Sequence, residues 1–218
     1  NKNLNEAKKS KKDEFYTQLE DIEKELACYD VENFKGQVVH CPCDDYRWSN
    51  FVKCFKNNFE YLGIKKIIAT NYDIGDGAWK YEYDGENETI TQLECNGSFD
   101  SEECVKLLNE ADVVVTNPPF SKIRQFFNTL VNNGYLNIKH FLFIGNQNII
   151  TFKEIFPYIK NNELWLGMNW VKEFIQPNGE IKKFGNICWF TNIENKKRNQ
   201  PLDLYRKYNP TDYPKYDN

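Results

Sequence analysis

The chain has 218 residues, a formal net charge of −4, 40% hydrophobic and 28% charged residues. This length suits one large α/β domain, or one domain with an appendage, and is enough to bury a substantial core. The net charge excludes a protein that is basic overall. Basic clusters near 8–12 and 196–198 could still contact nucleic-acid phosphates, and the alternative is that they are solvated surface residues. With no signal peptide and no apolar run of membrane-spanning length, we expect a cytoplasmic protein without a membrane partner.

The cysteines and histidines argue against a disulfide framework and against a zinc site. Seven cysteines are scattered without a C-x-x-C pair, and both histidines, His40 and His140, adjoin predicted strands. We therefore interpret the cysteines as reduced thiols and the histidines as packing residues. The sequence therefore predicts no metal.

Helices and strands alternate through the first half of the predicted chain. Their order is a helix over 4–29 that 13–18 interrupts, a strand over 37–43, a helix over 47–61, a strand over 65–70, a hairpin over 79–83 and 89–93, and a short helix over 101–109.

The second half begins with a short β-branched run that reads as a buried parallel strand. The predicted order is a strand over 111–115, a helix over 121–133, a strand over 140–145, a short helix over 151–158, a strand over 163–166, a hairpin over 170–175 and 180–184, and a strand over 186–191. The sum indicates a mostly parallel sheet with helices on both faces and antiparallel strands near the carboxyl terminus.

The segment Asn117-Pro118-Pro119-Phe120 follows the strand at 111–115, at the sheet edge where open α/β folds bind ligands. Its two prolines remove two N–H donors, so the turn offers carbonyl acceptors, to which Asn117 adds a side-chain oxygen and Phe120 a flat apolar face. Two acceptors beside an aromatic ring suit an exocyclic amine on a planar heterocycle. Such an amine attacks a sulfonium methyl without a strong base. The alternative is a proline turn that carries no chemistry.

A sulfonium donor that contains adenosine needs acceptors and an aromatic neighbour. Asp44 follows the first predicted strand, Thr70 and Asn71 stand at the end of the second, and Phe99 offers a ring for adenine. The turn 43–47 contains no glycine, so it does not match the glycine-rich fingerprint of dinucleotide-binding folds. Capping of the following helix is the alternative role for Asp44 and its neighbour Asp45.

Several segments in this order resemble one known family. They are Asp13-Glu14-Phe15-Tyr16-Thr17-Gln18, Cys43-Asp44-Asp45 with Trp48-Ser49-Asn50-Phe51, Leu62-Gly63 with Lys65-Lys66, Val114-Val115-Thr116-Asn117-Pro118-Pro119-Phe120-Ser121, and Gly185-Asn186-Ile187-Cys188-Trp189-Phe190-Thr191. Together they resemble the EcoRI-type adenine-specific DNA methyltransferases over nearly the whole chain.

The resemblance implies a Rossmann-like class I methyltransferase with a mostly parallel, seven-stranded sheet. It implies S-adenosylmethionine as cofactor and methyl transfer to N6 of an adenine flipped out of a specific site in double-stranded DNA. It also implies a restriction–modification or phage-defence role with a cognate endonuclease as partner. Oligomeric state and target sequence are not implied.

The resemblance assigns roles by position. Asn117 and the carbonyl of Pro118 would accept hydrogen bonds from the target amine. Pro119 and Phe120 complete the motif, and Phe120 would stack on the target base. Phe15, Tyr16 and Thr17 would line the methionine end of the cofactor, and Asp44 would contact its amino-acid or ribose part. Ser98 and Phe99 would contact its adenine. Thr70 and Asn71, at the end of the second strand, complete the set of cofactor-binding residues. Ser98 departs from the acid that the family usually has there.

We expect three regions: an N-terminal cofactor-lid segment over 1–30, a catalytic domain over 31–193, and an extended tail over 194–218. Family members normally carry more sequence for target recognition. Two other functions stay open. One is the same chemistry on an RNA base or a protein glutamine; the other is a catalytically silent module that binds DNA or cofactor.

Overall fold

A computed structural model of the protein describes residues 15–176 and 179–195, together with 198, 201, 205–206, 209 and 211–212. The strands are, in chain order, β1 (Tyr16–Thr17), β2 (Val38–Cys41), β3 (Lys66–Thr70), β4 (Trp79–Tyr83), β5 (Glu88–Gln92), β6 (Val113–Thr116), β7 (His140–Asn146), β8 (Trp165–Trp170), β9 (Glu173–Ile175), β10 (Ile181–Lys183) and β11 (Ile187–Thr191). The α-helices are α1 (Leu19–Leu26), α2 (Asn50–Asn57), α3 (Phe59–Leu62), α4 (Glu102–Glu110), α5 (Ile123–Asn132) and α6 (Phe156–Lys160).

The main sheet has eight strands in the order β5-β4-β3-β2-β6-β7-β11-β8. Strand β2 pairs in parallel with β3 and β6, and β6 with β7. The four residues of β2 and the four of β6 are all buried, as expected for central strands covered on both faces. Because these strands run in parallel, the carboxyl ends of β2, β3 and β6 meet at one edge.

Helices cover both faces of this sheet. Successive strand residues point to opposite faces, and Val115 packs in one core with Ile22 of α1 and Phe55 of α2. The adjacent Val114 packs in the other core with Phe126 of α5. The prediction of an α/β fold with helices on both faces is confirmed.

The sheet differs from the prediction in number and direction of strands. It has eight strands rather than seven, and the hairpin β4–β5 joins antiparallel to the edge of β3, in addition to the antiparallel pairs β7–β11 and β11–β8. Within the described residues, only the four central strands pair in parallel. The sequence identified the hairpin but contained no information on the edge to which it would add.

A small second sheet has the order β1-β9-β10. The predicted hairpin over 170–184 is confirmed as the pair β9–β10, although Pro177 and Asn178 of its turn lie outside the described residues. Strand β1 joins it through the pairs Tyr16↔Ile175 and Thr17↔Phe174.

The predicted helix over 4–29, interrupted at 13–18, is confirmed for the described part after the interruption, although it ends at Leu26 rather than at residue 29. Residues 1–14 lie outside the described residues, β1 occupies 16–17, and α1 begins at Leu19 after an extended Gln18. The aromatic and β-branched residues of this segment favour a strand once β9 supplies a partner.

None of the helices in the described residues is both long and apolar enough to cross a membrane. All seven cysteines belong to the described residues, and each is a free thiol.

Candidate functional site

A cavity of about 760 Å³ opens at the carboxyl ends of β2, β3 and β6, beneath the start of the N-terminal strand. Its size lies in the usual range for small-molecule and cofactor sites. The lining residues are Phe15, Tyr16, Pro42, Cys43, Asp44, Asp45, Trp48, Ser49, Asn50, Asn71, Tyr72, Asp73, Ile74, Gly97, Ser98, Phe99, Asn117, Pro118, Pro119, Phe120, Ser121 and Lys122.

Most of the predicted site residues meet in this cavity, and two do not line it. Those in the lining are Phe15, Tyr16, Asp44, Asn71, Ser98, Phe99, Asn117, Pro118, Pro119 and Phe120. Thr70 is fully buried behind the wall, where its hydroxyl donates to the carbonyl of Pro42 at 3.3 Å. Thr17 is 3% exposed, and its hydroxyl has no hydrogen-bond partner among the described residues.

Asp44 is a buried carboxylate held by two hydroxyl groups. It accepts from Ser49 Oγ at 2.7 Å and from Thr116 Oγ1 at 2.7 Å. Burial raises the pKa of Asp44 to about 6, and the two hydrogen bonds oppose that rise. A carboxylate poised in this way binds a cationic or N–H donor ligand that enters the cavity.

The capping role considered for Asp44 and Asp45 falls to another residue. Ser49 is the N-cap of α2, where its hydroxyl oxygen accepts from the backbone N–H groups of Phe51 and Val52. The side chain of Asp45 instead accepts from the guanidinium of Arg47 at 2.8 and 2.5 Å. Asp44 therefore faces the cavity without a capping duty of its own.

Asn71 and Gly97 shape the wall that carries Phe99. The side-chain amide of Asn71 is used within its own loop, since it donates to the carbonyl of Gly77 at 3.1 Å and accepts from Trp79 N–H at 3.0 Å. Gly97 has φ +71, and a Cβ there would lie 1.9 Å from the backbone oxygen of Asn71. This close approach sets the position of Ser98 and Phe99, which follow directly.

The amide of Asn117 is oriented by the N-terminal strand. Its Nδ2 donates to the carbonyl of Phe15 at 2.7 Å, and its Oδ1 is buried without a hydrogen-bond partner among the described residues. A backbone carbonyl only accepts, so this contact fixes which end of the amide is nitrogen. An unpaired buried oxygen costs free energy unless a ligand donor satisfies it.

The ring of Phe120 lies in an aromatic cluster at the same end of the cavity. It stacks loosely on Phe15, with ring centroids 6.0 Å apart and planes at 24°, and makes edge contacts with Phe174 and Phe184. The cluster joins the loop after β6 to the small sheet. It offers aromatic faces to a planar heterocycle.

Tyr72, Ile74 and Lys122 line the cavity but were missed from the sequence. The Lys122 ammonium lies 5.3 Å from the ring centroid of Tyr72 and 5.9 Å from that of Phe99. Tyr72 was within reach of sequence reasoning, because it follows the second parallel strand at the ligand-binding edge. Nothing in the local pattern distinguished Lys122 from a solvated helix residue.

Comparisons with known proteins show the family of this chain. A family model described as adenine-specific methyltransferase EcoRI matches residues 3–88 and 76–218. The type II methyltransferase M.EcoRI of Escherichia coli is 41% identical over 256 residues, which cover 100% of this chain and 77% of that protein. No solved structure matches the chain.

Two mycoplasma proteins are similar as well. The type II methyltransferase M.MpnI of Mycoplasma pneumoniae is 37% identical over 237 residues, with 98% of this chain and 72% of that protein covered. The type II methyltransferase M.MgeORF184P of Mycoplasma genitalium is 34% identical over 235 residues, with 98% and 73% covered. With a family model that spans most of its length and relatives above a third identical, the chain belongs to the EcoRI family of adenine-specific methyltransferases.

Proposed function

We propose that this protein methylates N6 of an adenine flipped out of a specific site in double-stranded DNA, within the cytoplasm and as the methyltransferase of a restriction–modification system with a cognate endonuclease. Family membership supports the reaction class. The observation that carries the residue roles is the buried Oδ1 of Asn117, a residue of the cavity wall, which has no hydrogen-bond partner among the residues described. An adenine amine supplies the N–H donor that this oxygen lacks.

The cavity residues fit S-adenosylmethionine. Asp44 offers a buried carboxylate to the amino group or ribose, and Phe99 an apolar face to adenine. Tyr16 lines the same cavity near Phe15, on the side assigned to the methionine part. When bound, the cofactor supplies an electrophilic sulfonium methyl group.

The residues of the chain then orient the target amine. Asn117 Oδ1 and the carbonyl of Pro118 accept its two N–H bonds, and this turns the nitrogen lone pair toward the methyl group. Phe120 holds the base plane from one side. No general base is required before attack, because the amine would gain the methyl group with S-adenosylhomocysteine as the leaving group, and the cationic nitrogen would then give its proton to water. Prolines at 118 and 119 keep the corner free of competing N–H donors.

The test is methyl transfer from labelled S-adenosylmethionine to unmethylated DNA, for the protein and for Asn117→Ala. We expect label on adenine N6 with the unaltered protein. We expect a loss of about 100-fold or more in single-turnover rate for the variant, similar to the removal of one preorganised polar group from other active sites. Binding of S-adenosylhomocysteine should persist.

Other products would identify other functions. Label on RNA or on protein glutamine would show the same chemistry on another substrate. If label appears in none of these and S-adenosylhomocysteine still binds, the chain is a silent cofactor-binding module and the proposal is wrong.

A further inference from the structure

The orientation of Asn117 depends on a strand remote in sequence. Its Nδ2 donates to the carbonyl of Phe15 at 2.7 Å, across 102 residues of chain. Without that acceptor, rotation about the last side-chain bond would exchange nitrogen and oxygen at little cost, since such terminal torsions are broad. An exchanged amide would present a donor to the target amine, which is itself a donor.

The strand that carries this carbonyl is short. In the part of the chain that the structure describes, strand β1 has two residues and pairs with β9 only through Tyr16 and Thr17. Phe15 lies just outside the paired residues, so the position of its carbonyl depends on what else holds the strand.

Asn50 provides a further attachment, besides the ring contacts of Phe15 and the hydrogen bond from Gln18 Nε2 to the carbonyl of Glu173. Asn50 Nδ2 donates to the carbonyl of Thr17 at 2.8 Å, two residues from Phe15. Asn50 is the first residue of α2, directly after the N-cap Ser49, whose hydroxyl donates to Asp44 at 2.7 Å. The hydrogen bonds from Asn50 to Thr17 and from Asn117 to Phe15 therefore connect the start of α2 with Asn117 through the backbone of residues 15–17.

We propose that Asn50 is a positioning residue for methyl transfer, which holds the N-terminal strand so that the carbonyl of Phe15 keeps Asn117 Oδ1 facing the target amine. This inference rests on the proposed function and adds a residue to it. Asn50 acts through the backbone of Thr17 and Phe15, so its loss should reduce the chemical step more than cofactor affinity.

Asn50→Asp and Asn50→Ala test the proposal. Both remove the donor; Asp keeps the shape of Asn and favours the first turn of a helix, so α2 should remain folded. We expect the single-turnover rate, at saturating DNA and S-adenosylmethionine, to fall by about tenfold to hundredfold, as small misplacements of reacting groups do. Because Asn50 also lines the cavity, affinity for S-adenosylhomocysteine should fall by less than the single-turnover rate does, and the melting temperature should stay close to that of the unaltered protein.

Asn133 offers a matched control. Its Nδ2 donates to the carbonyl of Thr129 at 2.7 Å at the end of α5, and it does not line the cavity. Asn133→Ala removes the same kind of bond and should leave the single-turnover rate unchanged. If it lowers the rate as much as Asn50→Ala, the effect is general destabilisation and the inference is overturned.

The decisive measurement combines Asn50→Asp with Asn117→Ala. If Asn50 acts through Asn117, adding Asn50→Asp to Asn117→Ala should reduce the remaining rate by less than twofold, because coupled residues are not additive. A full additional loss would overturn the inference, as would a large drop in cofactor affinity with unchanged rate. If the unaltered protein transfers no methyl group to DNA, the proposed function itself is wrong. That result differs from the two outcomes that overturn only the role of Asn50.

Discussion

Asp44 is a buried carboxylate whose ionisation is set by opposing influences. Burial disfavours the charge, hydroxyl donors from Ser49 and Thr116 favour it, and the balance raises the pKa to about 6. The group therefore changes charge close to neutral pH. That makes its contribution to ligand binding measurable by pH alone.

We expect affinity for S-adenosylhomocysteine to increase as the pH rises from about 5 to about 7, because Asp44 must lose its proton to bind an ammonium group as a carboxylate. Asp44→Asn should abolish this dependence. It should weaken binding at pH 7 by about tenfold to hundredfold, the range for a hydrogen bond to a charged group. Calorimetric titration at several pH values measures both.

Asp84→Asn is the control for this titration. Asp84 lies outside the cavity lining, and hydrogen bonds from Asn87 and Glu86 hold its pKa below the ordinary value, so it stays ionised across the same range. A pH-independent affinity in the unaltered protein would contradict the role given to Asp44.

Gly97 tests how strictly the wall beside Phe99 is defined. Gly97→Ala would place a methyl group 1.9 Å from the backbone oxygen of Asn71, so the loop must move. We expect affinity for S-adenosylhomocysteine to fall more than about tenfold, since even a 1 Å displacement at a site has effects of this size or larger. Gly36 has φ +72, and a Cβ there would meet no described atom within 4 Å, so Gly36→Ala carries the same backbone cost without the contact. Equal affinities for the two variants would show that the close approach is unimportant.

At the scale of elements, α1 and β8 are joined by one buried carboxylate. Glu25 is fully buried and accepts from the backbone N–H groups of Met168 and Asn169, each at 2.8 Å, and from Tyr29 Oη at 2.8 Å. A side chain on Gly167 would meet Glu25 Oε1 at 2.2 Å. The edge strand β8 has no further strand beside it among the described residues, and the Glu25 side chain of α1 accepts from two of its backbone N–H groups instead.

Glu25→Ala should lower the free energy of unfolding by about 3 kcal/mol, because it leaves two partly buried N–H donors of β8 and the buried hydroxyl of Tyr29 without a partner. Glu23→Ala, on the exposed side of the same helix, should change it by less than about 0.5 kcal/mol. Urea denaturation with unchanged slope measures the difference. Equal midpoints for the two variants would show that water or rearrangement replaces the carboxylate.

At the scale of the molecule, the cavity is built by segments that are far apart in the chain. The small sheet brings Phe15 against Phe120, and the main sheet brings Asp44 beside Thr116. A ligand that contacts all of these walls binds the folded state alone. Folding stability and ligand binding are therefore coupled.

S-adenosylhomocysteine at 100 times its dissociation constant should stabilise the fold by about 2.7 kcal/mol. For a chain of this length, that raises the melting temperature by about 5–10 °C. Thermal unfolding with and without the ligand provides the measurement, and adenosine-free homocysteine should have little effect. An unchanged melting temperature would indicate that the cavity does not hold this cofactor.

Several features could be predicted from local sequence because their causes are local. β-branched runs indicated the central strands, alternation indicated both hairpins, and the proline pair defined a donor-poor corner at Asn117. The motif order placed Asp44, Phe99 and Phe120 in one site. The sequence could not show whether Thr17 and Thr70 line the cavity, because the exposure of a residue near a strand end depends on which other segments pack over it.

By itself, the sequence determined the family, the parallel centre of the sheet and the chemical character of the 117–120 turn. Only the tertiary structure decided that Phe15 accepts from the amide of Asn117 and that Asn50 donates to Thr17. It also decided that β4 and β5 extend the sheet beyond β3, and that Lys122 lines the cavity. The physical reason is range. Backbone conformation follows from neighbouring residues, whereas hydrogen bonds between segments a hundred residues apart depend on how the folded layers meet.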